Sequence, residues 1–400
     1  MATNPDNNGK FARISREILN QQDLLITNII LSCQVPSTIV PPRENDSEPL
    51  DQPMRAKAFS ERLQEMGVDE CSADSDGNPI GIIKGRDVSC PPIVLAAHLD
   101  TVFEVPEDSY CTVSSATISG PGLLDNSLSV GVLLSIPPLL RAAGMSLKSD
   151  LVILALKESL GKSNLRSART FVKEWKKPVR AAICLEGGEI GRLNYYADAM
   201  TRMEIRCDAS ANAERGSKQG ANAILVMNEI INRILEIRIP QRPETRIVIG
   251  SVSGGVKFGN RALTSRLGLE IHSTSDAEVT AVRDAIRDIA TSVAYEQRVS
   301  VEFAQISSVN AANLGYGHPL VKSALSILSE LDVAPRIYSS ESELAVFLSA
   351  GIPTVTIGLA SGWNYHLESA TMEIASLFTG VTQLIALIER IDEGVCDAKQ

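Results

Sequence analysis

The stretch from Ile93 to Gly131 constrains this chain more than any other. An unbroken apolar run, Ile93-Val94-Leu95-Ala96-Ala97, passes directly into His98-Leu99-Asp100, and Gly120-Pro121-Gly122-Leu123-Leu124-Asp125-Asn126-Ser127 then precedes a long apolar segment. A run of that length without alternation suits a strand buried on both faces, which is how strands of parallel sheets are placed. Its polar residues therefore fall at the carboxyl end of the strand, where open α/β sheets bind ligands. His98 can offer a neutral imidazole to a metal. Asp100, two residues on along the same strand face, can accept the proton of the other ring nitrogen, and Asp125, in a glycine-rich turn at a helix start, can bridge two metals. The same residues equally suit a buried, hydrogen-bonded histidine and a helix N-cap.

The rest of the chain repeats the alternation. Residues 11–32 and 54–66 read as helices, 150–156 as a strand, 163–175 as a helix and 180–185 as a strand, which implies a mostly parallel sheet covered on both faces. Residues 126–143 begin as a helix that Pro137 and Pro138 should kink or end, because each lacks the N–H donor and crowds the preceding turn. Around Asp198 the pattern changes. Short strands at 203–207, 246–251, 267–272 and 300–304 alternate with helices at 220–237 and 277–294, the signature of a compact α+β unit. A helix from Pro319, a strand at 354–357 and a closing helix at 375–390 resume the first pattern. The expectation is an α/β protein in which a mostly parallel-sheet domain, residues 1–197 and 312–400, is interrupted by an inserted α+β lid at 198–311. Four hundred residues also exceed one ordinary core.

Composition narrows the partners. A net charge of -10 argues against polyanions, so no nucleic acid is expected. Seven scattered cysteines without a Cys-x-x-Cys pair suit reduced thiols rather than a disulfide frame or a thiolate zinc site. The first ten residues lack the apolar core of a signal peptide, and the longest apolar run, 130–140, is short and holds two prolines, so no membrane partner is expected. The expected location is the cytoplasm.

The words "AHLDTVF" and "GPGLLDNSLSVGVLL", followed by "LALKESLG", "ICLEGG" and "GWNYHLES", resemble the M20 family of di-zinc aminoacyl hydrolases, in particular its peptidase T-like and carboxypeptidase-like branches. The resemblance runs from about residue 90 to 391. It implies a catalytic α/β domain with an inserted lid that often dimerises, and one or two zinc ions held by His98, Asp125, Glu158, Glu186 and His366. It also implies hydrolysis of a small amide such as a dipeptide or N-acyl amino acid.

Several positions depart from the family's pattern. Its general base is the first glutamate of a pair, and that position is Lys157 here; a second alignment makes Glu158 the base and Ser159 the missing ligand. Either way the pair is halved. A lysine beside dications would have its pKa pushed down, yet its reach and basicity differ from a carboxylate's. In the lid, Asn212 stands for a histidine, Gly259 for an asparagine and His272 for an arginine that can meet a substrate carboxylate. Glu341 and Glu343 replace shorter side chains, and Ala370 stands where an acidic residue is usual. These changes leave two expectations: a metal-dependent hydrolase with impaired or altered catalysis, or an inactive homologue acting as a binding or partner subunit; a homodimer, if one forms, is expected to use the lid.

Overall fold

The computed structural model describes residues 5–36, 53–101, 110–160, 163–210 and 220–397. The chain divides into two compact units, one formed by Met1–Tyr196 with Asn313–Gln400 and the other by Ala197–Ala312.

The first unit is built on a seven-stranded sheet in the order Glu70–Ala73, Pro79–Ile83, Leu151–Leu156, Ile93–His98, Ala181–Glu186, Thr354–Gly358, Leu193–Asn194. The four central strands are parallel and the flanking ones antiparallel. Every residue of Ile93–His98 and of Leu151–Leu156 is buried, as strands covered on both faces require. One hydrophobic core joins these strands to the helices Pro5–Asn20, Gln22–Gln34, Leu128–Ala142, Pro319–Glu330 and Ile374–Asp392. His318, at the start of Pro319–Glu330, accepts the Leu320 N–H through Nδ1 at 3.1 Å and so caps that helix.

Pro137 and Pro138 do not end their helix, which runs on to Ala142. Each proline costs about 3 kcal/mol in a helix interior. Burial of nearly every side chain from Leu128 to Leu140 outweighs that cost. By length and composition Leu123–Ala142 and Ile374–Asp392 could cross a membrane, but 89% and 61% of these spans are buried inside the fold, as core helices are.

The second unit is a four-stranded antiparallel sheet in the order Thr245–Gly254, Thr264–Ser273, Ala199–Asp208, Ser300–Val309. Its strands pair with one another and not with the seven-stranded sheet. The helices Ala223–Leu235 and Asp276–Gln297 share a separate core with it, including Met203, Ile205, Ile230, Leu269 and Ile286. Among the described residues, the edge strand Thr245–Gly254 has no strand paired to its outer side, and Val248 and Val252 are exposed.

Candidate metal centre

Three strand ends and one helix-start turn deliver the polar residues. His98 closes its strand in register with Leu156, while Glu186 closes the neighbouring strand in register with Gly358. Asp125 sits in the turn after Gly122, whose left-handed φ of 64° is one that glycine adopts without strain. A Cβ at Gly122 would also meet the Thr101 methyl at 3.0 Å. Asn126, buried, donates to the Leu185 carbonyl at 2.9 Å and ties this turn to the Glu186 strand. The Asp125–Asn126 peptide is cis.

A small sheet brings in the last histidine. Thr117–Ser119, just before the Asp125 turn, pairs with Thr371–Glu373, just after the His366 loop, and the Gly120 N–H reaches the Ala370 carbonyl at 2.9 Å. Ala370, where an acidic residue was the pattern, is fully buried in this join.

Donor atoms of His98, Asp125 and Glu186 all lie within 4.8 Å of one another. His98 Nε2 is 3.2 Å from Asp125 Oδ1. Donors bound at 2.0–2.2 Å to a tetrahedral zinc ion sit about 3.3–3.6 Å apart, so the 3.2 Å separation is about 0.1 Å short of the spacing a shared cation needs. From behind, His98 Nδ1 is 2.9 Å from the Asp100 main-chain oxygen and 3.2 Å from its Oδ1. The shorter contact makes the main-chain carbonyl the better acceptor, with the carboxylate beside it. Asp100 Oδ2 is engaged elsewhere, accepting the Ser159 and Leu160 N–H groups at 2.8 and 2.7 Å. Asp100 therefore locks the loop after Leu156 as well as the imidazole.

The electrostatics fit a cation too. Burial pushes the Glu186 carboxyl up to about 7, against the pull of Arg192 and His98. Burial also disfavours charge on His98, yet the Asp100 and Asp125 carboxylates outweigh it and hold its pKa well above the usual value. Two carboxylates crowded around a proton-holding histidine is the arrangement a divalent ion would neutralise on binding. The donor set of one imidazole and two carboxylates suits zinc.

The other residues named from the sequence fall out differently. His366 is beside the centre, its Nδ1 3.6 Å from Asp125 Oδ2, on a side chain 73% exposed. Glu158 is buried but lies outside the three-donor group; its Oε2 is 3.7 Å from Arg166 Nη1. Lys157 follows the strand end at Leu156: its Nζ donates to the Asp76 carbonyl at 2.9 Å, and its own N–H donates to Asn78 Oδ1 at 3.0 Å. Arg166 links the same 74–78 turn to Glu158, with Nη2 2.8 Å from Asp76 Oδ1 and Nη1 3.7 Å from Glu158 Oε2. In the second unit, His272 is buried and its Nε2 lies 3.0 Å from Glu270 Oε2, while Glu270 Oε1 accepts from Arg202 Nε. Gly259 is on an exposed turn with open space around it. Glu343 is buried at the start of Leu344–Ser349 and Glu341 is exposed. Asn212 lies outside the described residues.

Several neighbours of the centre had not been singled out. Arg55, on the helix Pro53–Glu65, is buried and donates to Ser127 Oγ at 2.7 Å and the Ser32 carbonyl at 3.0 Å, bracing the Asp125 turn. Arg192 follows the Glu186-Gly187-Gly188 turn, with Nη1 3.5 Å from Glu186 Oε2. Its nearness to that motif was the one available signal; Arg55 carried none, reading as a surface helix cation.

The comparisons agree with this architecture. A model of Peptidase family M28 matches residues 78–229, the stretch that carries His98, Asp125, Glu158 and Glu186. A tripeptidase from Staphylococcus aureus is similar in structure with a TM-score of 0.72 at 17% identity, covering 93% of this chain and 99% of its own. Aminopeptidase PepT from Bacillus cereus gives 0.69 at 16%, covering 92% and 98%. The YxeP protein of Bacillus subtilis, a dinuclear metal-binding peptidase of the M20 family, gives 0.59 at 15%, covering 96% and 99%. Comparison with curated protein sequences gives no match. The chain has the fold of the M20 peptidases, a mixed-sheet α/β unit with an inserted antiparallel unit, and the resemblance read from its motifs stands.

Proposed function

We propose that this chain is a metal-dependent hydrolase of small amide substrates, of the peptidase or dipeptidase kind, centred on His98, Asp125 and Glu186. The convergence of those three donors, with the imidazole fixed from behind by Asp100, is the observation that carries the reading. The fold relatives that are named as a tripeptidase and an aminopeptidase support the substrate class. A divalent cation held there, zinc by donor chemistry, would polarise an amide carbonyl and acidify a water molecule.

The chain's own residues then divide the work. Glu158, a buried carboxylate on the loop that Asp100 clamps, takes the proton from the attacking water and passes it to the leaving amine. Ser159, next to it, offers a neutral hydroxyl where a carboxylate would complete a second set of donors with His366 and the far oxygen of Asp125. One cation position is thus fully furnished and the other depleted. Catalysis is altered at the second position rather than by a cationic base, since the Lys157 ammonium is bound to the Asp76 carbonyl. Zinc content of the purified protein, paired with turnover of a panel of dipeptides and N-acyl amino acids, tests this. One tightly held zinc and measurable hydrolysis support it, while absence of both favours the inactive partner subunit. The open edge strand Thr245–Gly254, with Val248 and Val252 exposed, supports a homodimer through the inserted unit.

A further inference from the structure

Beside the centre, within the α/β unit, lies a cavity of about 510 Å³ lined by Glu189, Arg192, Arg336, Ser361, Tyr365 and His366, among others. It abuts the metal donors on two sides, through Arg192 against Glu186 at 3.5 Å and through His366 against Asp125 at 3.6 Å. Two guanidinium groups in one polar cavity call for an explanation. They are distant in sequence, yet the backbone sets them side by side. Arg192 and Arg336 form a parallel bridge, with the Leu193 N–H on the Arg336 carbonyl at 3.0 Å and the Arg336 N–H on the Gly191 carbonyl at 2.8 Å.

Glu189 holds the pair in place. Its Oε2 accepts from Arg192 Nε and Nη2 at 3.3 and 3.2 Å and from the Tyr338 hydroxyl, while its Oε1 accepts from Arg336 Nη1 at 3.2 Å. Tyr338 also lies under Arg192, whose Cζ is 5.4 Å from the ring centroid. One carboxylate therefore organises two cations, and the Glu189 oxygens are already engaged by these three donors. Glu186 approaches Arg192, but it is committed to the His98 and Asp125 group. The cavity keeps a net positive charge. Arg336 is 64% exposed and, among the described residues, reaches Glu189 through Nη1, so most of its five N–H donors face solvent. A planar guanidinium presented this way matches a carboxylate in a bidentate pair. Gly188 gives Tyr365 its place in the lining: a Cβ there would sit 2.1 Å from the Tyr365 ring, so no larger residue fits without displacing it.

We propose that Arg192 and Arg336 form the subsite for the free carboxylate of the substrate. The α/β unit itself thereby selects anionic peptides or acyl amino acids, in place of the lid arginine that His272 has replaced. This deepens the proposed function and rests on it for the reaction, though not for the binding.

The test is calorimetric binding of N-acetyl-L-alanine and of its neutral amide, to zinc-loaded protein and to protein dialysed against chelator. The acid is expected to bind at least tenfold more tightly than the amide in both forms. Arg336→Met should erase most of that preference, Arg336→Lys should keep part of it, and neither should change zinc content. Equal binding of acid and amide by the unmutated protein, or a preference that survives Arg336→Met combined with Arg192→Met in a folded variant, overturns the subsite. A preserved preference for the acid without any hydrolysis leaves the subsite standing and removes the catalytic reading instead. Hydrolysis with no preference for the acid does the reverse.

Discussion

In the α/β unit polar side chains converge from strand ends and each is held by a second buried group: His98 by Asp100, the Asp125 turn by Asn126 and Arg55, the loop after Leu156 by Asp100 again. In the inserted unit they pair off over an antiparallel sheet, Arg202 with Glu270 across strands and His272 with Glu270 along one strand. Both units have complete hydrophobic cores. The difference lies in where the chain ends its strands. Parallel strands with helical crossovers place their carboxyl ends in one row, so unpaired polar groups gather there. Antiparallel neighbours alternate their ends, and their polar residues find partners directly opposite. Polar groups can thus pair off within the inserted unit while those of the other unit stay gathered at the strand ends.

The comparison would break most sharply at Asp125. Asp125→Ala removes the donor shared by His98 and His366, and should reduce zinc retention well beyond the 10–100-fold typical of an outer partner, with loss of all hydrolysis; metal analysis beside far-ultraviolet circular dichroism reads it. If zinc stays bound, the centre is elsewhere. Next in size, Glu158→Gln should lower kcat by about 10²- to 10⁴-fold with zinc content unchanged. Lys157→Met should alter kcat by only a few-fold. The opposite ranking would assign the base to Lys157 despite its contact with the Asp76 carbonyl.

Asp100→Asn keeps the size of the side chain and the main-chain carbonyl on His98 Nδ1 but removes the negative charge beside the imidazole. A 10–100-fold loss of zinc affinity is expected, measured by competition with a chelator. Zinc affinity should also depend on pH. Glu186, pushed up to about 7 by burial, and His98, held well above its usual value by its carboxylate neighbours, both carry protons that a cation must displace. Affinity therefore rises with pH and falls as pH drops through about 7, and titrations in buffers of different ionisation enthalpy should show protons released on binding. Zinc binding that releases none would mean that Glu186 and His98 carry no displaceable proton at that pH. The smallest effect belongs to the inserted unit. His272→Gln, which keeps a donor toward Glu270, should leave kcat/KM within a few-fold; a large loss would restore His272 to the substrate site and erase the contrast between the units.

The sequence by itself carried the strands and most helices, because buried parallel strands need unbroken apolar runs and these are local patterns. It also placed His98, Asp125 and Glu186, since each follows such a run or opens the next helix. The partners of Lys157 were not legible locally: the Asp76 carbonyl and the Asn78 side chain that hold it belong to the 74–78 turn, about eighty positions earlier in the chain. The prolines at 137 and 138 misled for a related reason: local propensity opposed the helix and tertiary burial overrode it. Arg55, Arg192 and Arg336 were invisible as a group. Nothing local separates a surface arginine from one that braces a turn or joins a cavity, and the bridge between Arg192 and Arg336 joins residues more than a hundred positions apart. Such pairings come from the packing of the whole sheet, so they became legible only in the folded chain.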